Sequence, residues 1–132
     1  MSTFPFDPNT NELAEFKGQF VDFLENYCED KNLVIEKTAE QMEYDASTGI
    51  IGNGAYICGE DYDEATFIIE NLVSNEKEPF SPCMASVAIV QLLEWFKSFL
   101  ERRANYAIGQ DDLTDLFLKG FTTFKNWGLL NI

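Results

Sequence analysis

The fold is decided by residues 81–107, SPCMASVAIVQLLEWFKSFLERRANYA. Ser81 followed by Pro82 is a strong helix start, because serine caps a helix N-terminus and proline suits the first helical position. Residues 84–96 are apolar on nearly every side of a helix, and such a helix is normally surrounded by other elements. We therefore expect a helix from Pro82 to about Ala107, stopped by Gly109, at the centre of a hydrophobic domain.

Three further helices are expected to pack around this one. The first runs from about Asn11 to Asp30, another begins at residues 59–64, and the last begins at Asp111 and ends at Gly128. Their apolar residues recur at the three- and four-residue spacing of one helix face. The expected buried side chains are Leu13, Phe16, Phe20, Phe23, Leu24 and Tyr27 in the first, Phe67, Ile68, Leu72 and Val73 in the next, and Leu113, Leu116, Phe117, Phe121, Phe124 and Trp127 in the last.

The segment between the first two of these helices is harder to assign. Residues 33–35, Leu-Val-Ile, have the composition of a short strand, and Asn53-Gly54 is a hairpin signal. Residues 38–44 fit either a short helix or continued strand, and 45–49 fit a loop.

We therefore predict a single domain over 1–132, mainly α, with about four to five helices around a central hydrophobic helix and a short β element near 33–58. An α+β fold is the alternative.

Charge is distributed very unevenly along the chain. The formal net charge is −14. Residues 1–66 carry fifteen acids and three bases, a net of −12, whereas residues 67–132 carry eight acids and six bases, a net of −2. Between Lys37 and Lys77 there are nine acids and no base. Such a surface favours encounter with cationic partners and disfavours direct contact with nucleic acid or with an anionic membrane.

The residues needed by several chemistries are missing. The chain contains no histidine, which excludes Ser-His and Cys-His nucleophiles and His-ligated zinc. Its three cysteines, Cys28, Cys58 and Cys83, have no CxxC spacing, so reduced thiols are expected. No phosphate-binding or nucleophile motif is present. We expect no enzyme activity, no metal and no cofactor.

A targeting or membrane segment is not evident either. The N-terminus has no basic and apolar signal sequence, and the apolar run from Cys83 to Phe96 is short and interrupted by Gln91 and Glu94. A cytoplasmic protein is expected.

Eleven carboxylates are the candidate partner-binding residues. On a helix over 11–30, the acids fall opposite the apolar stripe. Others lie in the base-free stretch. Those at 60–64 could hold Ca²⁺ or Mg²⁺, but their spacing does not match an EF-hand loop, and the preferred interpretation is a helix N-terminus, whose dipole favours negative charge. The candidates are Glu15, Asp22, Glu25, Glu29, Glu40, Glu43, Asp45, Glu60, Asp61, Asp63 and Glu64.

Two functions fit this profile. The first is a small acidic inhibitor that presents its carboxylates to a basic protein, such as a nuclease or a toxin whose groove normally holds nucleic acid. By composition it resembles phage counter-defence and anti-CRISPR proteins that mimic nucleic acid, and toxin-neutralising immunity proteins. The alternative is a non-catalytic structural or chaperone-like homo-oligomer, associated through an apolar C-terminus that includes Trp127, Leu129, Leu130 and Ile132.

Overall fold

The computed structural model describes residues 11–48, 56–74 and 79–130. These ranges contain α1 (Asn11–Asp30), α2 (Ala39–Thr48), α3 (Glu60–Ser74), α4 (Pro82–Ala104) and α5 (Gln110–Asn126). The only β pairing in them is an isolated bridge between Phe80 and Leu130. The prediction of a mainly α fold is confirmed.

Four of the helices form an up-down-up-down bundle. Around its ring, α1 packs on α3, α3 on α4, α4 on α5, and α5 on α1. Each of these neighbouring pairs is antiparallel, because residues late in one helix contact residues early in the next. Between α1 and the chain leading through α3, the contacts are Lys17–Glu70 and Glu25–Ile57, and between α3 and α4 they are Glu64–Trp95 and Asp61–Arg103. Ile89 lies against Gly120 between α4 and α5. Between α1 and α5 the contacts are Phe16–Phe124 and Tyr27–Asp112.

The core inside the ring is built largely from phenylalanine. Phe124 of α5 lies edge-to-face with Phe16 and Phe20 of α1, at centroid distances of 5.7 and 5.3 Å. Phe80, in the connection before α4, lies 5.2 Å from the same ring. Edge-to-face rings add to the hydrophobic stabilisation because their quadrupoles are complementary. All six side chains predicted for the buried stripe of α1 are buried.

The predicted start of α4 is confirmed, and its end comes three residues early. Ser81 accepts a hydrogen bond from the backbone N–H of Met84 at 3.2 Å, and Pro82 is the first helical residue. At the other end Asn105 adopts a left-handed conformation with φ 49° and donates its N–H to the Leu100 carbonyl. This closes the last turn before Gly109 is reached.

One side of α4 is not covered by other helices. Met84, Val87 and Val90 are exposed, although the sequence predicts apolar neighbours all round. In a ring of four helices each member has two neighbours and an outer side. The outer side of α4 is therefore left open to solvent.

The predicted strand at 33–35 is wrong. The backbone there follows the end of α1: the Leu33 N–H bonds to the Cys28 carbonyl, and the Glu36 N–H bonds to the Arg103 carbonyl. Helix ends therefore satisfy these groups, and residues 33–38 form no regular element. The alternative of a short helix after Thr38 is confirmed, and it continues to Thr48 through most of the predicted loop. The Asn53-Gly54 hairpin lies outside the described residues.

Candidate acidic binding surface

The outer side of α1 carries a row of exposed carboxylates. Glu15, Asp22 and Glu29 are separated by seven residues each, so they lie on one line along the helix. The row is about 21 Å long at 1.5 Å per residue. The structure thus places these three predicted residues together on the surface.

Glu25 has a structural role on the same helix. Its carboxylate is half-buried and accepts hydrogen bonds from the backbone N–H groups of Tyr56 and Ile57, at 3.0 and 3.5 Å. These groups belong to the chain that enters α3. Glu25, which the sequence assigned to the partner surface, thus uses one carboxylate oxygen, Oε2, inside the molecule.

Asp61 is also removed from the predicted surface. It is only 7% exposed, and its oxygens accept from Arg103 Nε at 3.1 Å and Nη2 at 3.5 Å. The pair connects the first turn of α3 to the last turn of α4. The sequence groups Asp61 with its acidic neighbours, but in a helix consecutive residues point in different directions, and this one points at the core edge.

The acids of α2 and α3 meet at one end of the bundle. Glu40 and Glu60 are hydrogen-bonded through their side chains, and this bond, followed by the repulsion between the two charges, raises the pKa of Glu60. Glu64 adds to the same repulsion. Residues twenty positions apart in the base-free stretch therefore form one concentration of negative charge.

The remaining predicted acids have mixed placements. Asp63 and Glu64 are exposed on α3, and Glu64 also accepts a hydrogen bond from Trp95 Nε1 at 3.0 Å. Glu43 is exposed on α2. Asp45 belongs to α2, but its side chain lies outside the described part of the chain.

Phe67 lies among these acids and was missed by the sequence analysis. It is 62% exposed, although the apolar pattern assigned it to the buried side of α3. Val73 is buried as predicted, and the other buried residues of α3 are Asp61, Ala65 and Ile69. Their strict four-residue spacing, centred on the small Ala65, is the signal that could have identified the buried face and left Phe67 outside.

Bases near this surface are few and largely paired. Lys17 lies between α1 and α3 and contacts Glu70 at 3.4 Å. Lys31, at the end of α1, contacts Asp112 at 3.7 Å. Because α1 and α3 are neighbours in the ring, their exposed carboxylates form adjoining parts of one side of the bundle. We call this side, with Glu15, Asp22, Glu29, Glu40, Glu43, Glu60, Asp63 and Glu64, the acidic surface.

Two features of the described residues concern metal and thiol chemistry. Within 11–48, 56–74 and 79–130, no group of three or more Cys, Asp or Glu side chains is arranged to hold a metal ion. Cys28 is buried, and burial followed by the charge of Glu25 raises the pKa of its thiol to about 12. A thiol of that kind stays protonated and unreactive at neutral pH.

A groove opens on the other side of the bundle. It lies between α4 and α5 and has a volume of about 320 Å³. Leu93, Leu113 and Phe117 line it together with Val90, and its charged residues are Glu94 and Lys97. Gln110 and Thr114 complete the rim.

The apolar C-terminus is packed on its own chain as far as it is described. Leu129 is fully buried, Leu130 pairs with Phe80, and Trp127 donates its indole N–H to Gln19 at 2.8 Å. Leu129 is therefore occupied by its own chain, whereas Trp127 and Leu130 are partly exposed and Ile132 lies outside the described residues.

By length and composition, α4 is apolar enough to cross a membrane, the one such helix in the described ranges. In this structure it packs between α3 and α5, and eight of its residues are buried.

Comparison with known proteins returns no relative. No family model, no curated protein and no solved structure matches this chain.

Proposed function

We propose that this chain is a cytoplasmic protein-binding inhibitor whose acidic surface docks on a basic protein. The observation that supports the proposal is the arrangement of exposed carboxylates on α1, α2 and α3 along one side of a rigid bundle. Because the helical backbone that carries these carboxylates is already ordered, binding a row of Lys and Arg side chains would cost side-chain freedom but little further ordering of the backbone.

The partner expected from this chemistry is a Lys/Arg-rich protein, such as a nuclease or a toxin, in which the carboxylates occupy a groove that otherwise holds nucleic acid. Phage counter-defence, anti-CRISPR-like and immunity proteins are the classes that this mechanism suits. Binding by such a surface needs no catalytic residue, metal or cofactor. Exposed charges of this kind act mainly on the rate of association and make it sensitive to salt.

Phe67 supports a mode of binding that charge alone would not provide. An exposed aromatic ring surrounded by Asp63 and Glu64 resembles the apolar anchor with a polar rim that is typical of protein interfaces. We expect the ring to enter an apolar pocket on the partner while the carboxylates contact its basic rim.

The test compares three immobilised proteins in a host lysate: the wild type, a variant with Glu15→Gln, Asp22→Asn and Glu29→Gln, and a control with Glu94→Gln, Glu101→Gln and Asp111→Asn. Both variants lose three negative charges, but only the first loses them from the acidic surface. We expect the wild type and the control to capture the same basic protein, and the first variant to lose it.

Elution by salt is the second measurement in this experiment. The captured protein should elute between about 100 mM and about 500 mM NaCl, because screening shortens the range of exposed charges. Capture that is equal for all three proteins, or no basic protein captured at low salt, would contradict the proposal.

A further inference from the structure

The first half of α4 exposes no charged side chain. Residues 79–93 contain no charged residue. Met84, Val87 and Val90 are exposed along this stretch, three residues apart, and so form one oblique ridge on the helix. Leu118 is exposed on the neighbouring α5. An apolar surface of this extent is unusual on a protein that functions alone.

The ridge runs into the groove between α4 and α5. Val90 belongs to both, and Leu93, Leu113 and Phe117 continue the apolar lining beyond it. Ridges of one helix pack into grooves of another, so this face offers both halves of a helix–helix contact. A face that carries a ridge and a matching groove side by side can pair with a second copy of itself about a twofold axis.

We propose that the α4/α5 face is the interface of a homodimer. With the twofold axis close to Val90, the ridge of each copy enters the groove of the other. The contact runs from Met84 to Lys97, about 20 Å along α4, and, with helix axes about 10 Å apart, is about 20 Å wide. This buries on the order of 800 Å² in the dimer, the size of a weak, concentration-dependent interface.

Charge favours a second copy over a different protein at this face. The groove is lined by one negative charge, Glu94, and one positive charge, Lys97, so it attracts neither a basic nor an acidic partner. Two copies otherwise repel each other, since each carries −14. Joining them through α4 and α5 keeps the two acidic surfaces apart by four layers of helices, on the order of 40 Å. That distance is several times the screening length of about 8 Å at physiological salt.

The inference is independent of the proposed inhibitor function, since it concerns the opposite side of the bundle. Because the acidic surfaces face outward in the dimer, it also implies that one particle presents two of them.

Sedimentation equilibrium of the full chain tests the dimer. We expect the wild type, from about 5 to about 200 µM, to approach twice its chain mass of 15.1 kDa. Association should strengthen as salt is raised, because screening weakens the repulsion between copies while the apolar contact persists. Val87→Glu places a charge beside the twofold axis and should raise the dissociation constant at least about tenfold.

Val34→Glu is the matched control, since it makes the same change at a valine that is 85% exposed and lies in the segment after α1. It should remain dimeric, and circular dichroism should show both variants folded. A wild type that sediments as a monomer at every concentration, a Val87→Glu protein that stays dimeric, or equal loss of dimer in both variants would overturn the proposal.

Discussion

At the scale of single residues, the structure distinguishes positions that look alike in the sequence. Gly18 and Gly120 both lie in the interior of helices. A Cβ on Gly18 would meet nothing within 4 Å, whereas one on Gly120 would lie 2.9 Å from Cγ2 of the buried Ile89. Gly120 therefore allows α4 and α5 to approach closely, and Gly18 has no such role.

The two glycines lead to opposite predictions for the same substitution. Gly120→Ala should lower the free energy of unfolding by about 1–3 kcal/mol, because Ile89 is branched at the contacting carbon and cannot move away freely. Gly18→Ala should raise it by about 0.5–1 kcal/mol through helix propensity. Urea denaturation of the three proteins checks both. Stabilisation by Gly120→Ala would show that the helices are not as close as described.

Glu60 provides a prediction about pH. Its pKa is raised in the folded protein, first by the hydrogen bond with Glu40 and then by repulsion from that residue. The folded state therefore binds the proton more tightly than the unfolded chain. The stability contributed by the protonated form is fully present below the unfolded pKa and is lost as pH rises through the folded pKa.

Glu60→Gln should consequently stabilise the protein at neutral pH, and its advantage should shrink as pH falls through the folded pKa of Glu60 and be gone below the unfolded pKa. Thermal denaturation from about pH 4 to about pH 7 measures this difference. Glu15→Gln is the control, because it removes one exposed charge elsewhere on the acidic surface. An equal, pH-independent effect of both substitutions would contradict the assigned interaction.

At the scale of elements, the stripes on α1 and the start of α4 could be predicted because they depend on local sequence. Helical spacing gave the buried face of α1, and Ser81-Pro82 gave the first turn of α4. The buried face of α3 was assigned only in part: Val73 is buried but Phe67 is not. A helix with apolar residues on two sides does not reveal which side its neighbours cover. The buried position of Asp61 depends on its contact with Arg103, 42 residues away, which helical spacing cannot show.

The Asp61–Arg103 pair is expected to hold α3 and α4 in register. Arg103→Leu would leave a nearly buried carboxylate without its partner and should cost about 2–3 kcal/mol of unfolding free energy. Arg102→Leu, one residue earlier and exposed, should change stability by less than about 0.5 kcal/mol. Chemical denaturation of both variants measures the difference. Equal effects would show that the pair contributes no more than a surface contact.

At the scale of the whole molecule, repulsion from the net charge lowers the stability that the hydrophobic core provides. A charge of −14 on a chain of 132 residues produces repulsion across the bundle. Few of these charges are paired within the described ranges. The folded protein should therefore be more stable when this repulsion is screened.

Raising NaCl from about 20 mM to about 300 mM should increase the melting temperature by several degrees, because the screening length falls well below the dimensions of the molecule. The variant lacking the carboxylates at Glu15, Asp22 and Glu29 should melt higher at low salt and gain less from added salt. Differential scanning fluorimetry follows both proteins. A melting temperature that falls with salt would mean that ion pairs, and not repulsion, dominate the electrostatics.

The sequence by itself determined the mainly α fold, the bounds of α1, the first turn of α4 and the acidity of the first half. These follow from spacing, capping and composition, which are local properties. Only the tertiary structure decided which sides of α3 and α4 face water, that Glu25 and Asp61 are engaged internally, and that Glu40 meets Glu60. Each of those depends on where distant parts of the chain are placed by packing. The acidity was evident from composition alone, but its arrangement on one side of a bundle, opposite the apolar ridge on α4, required the order of helices around the ring.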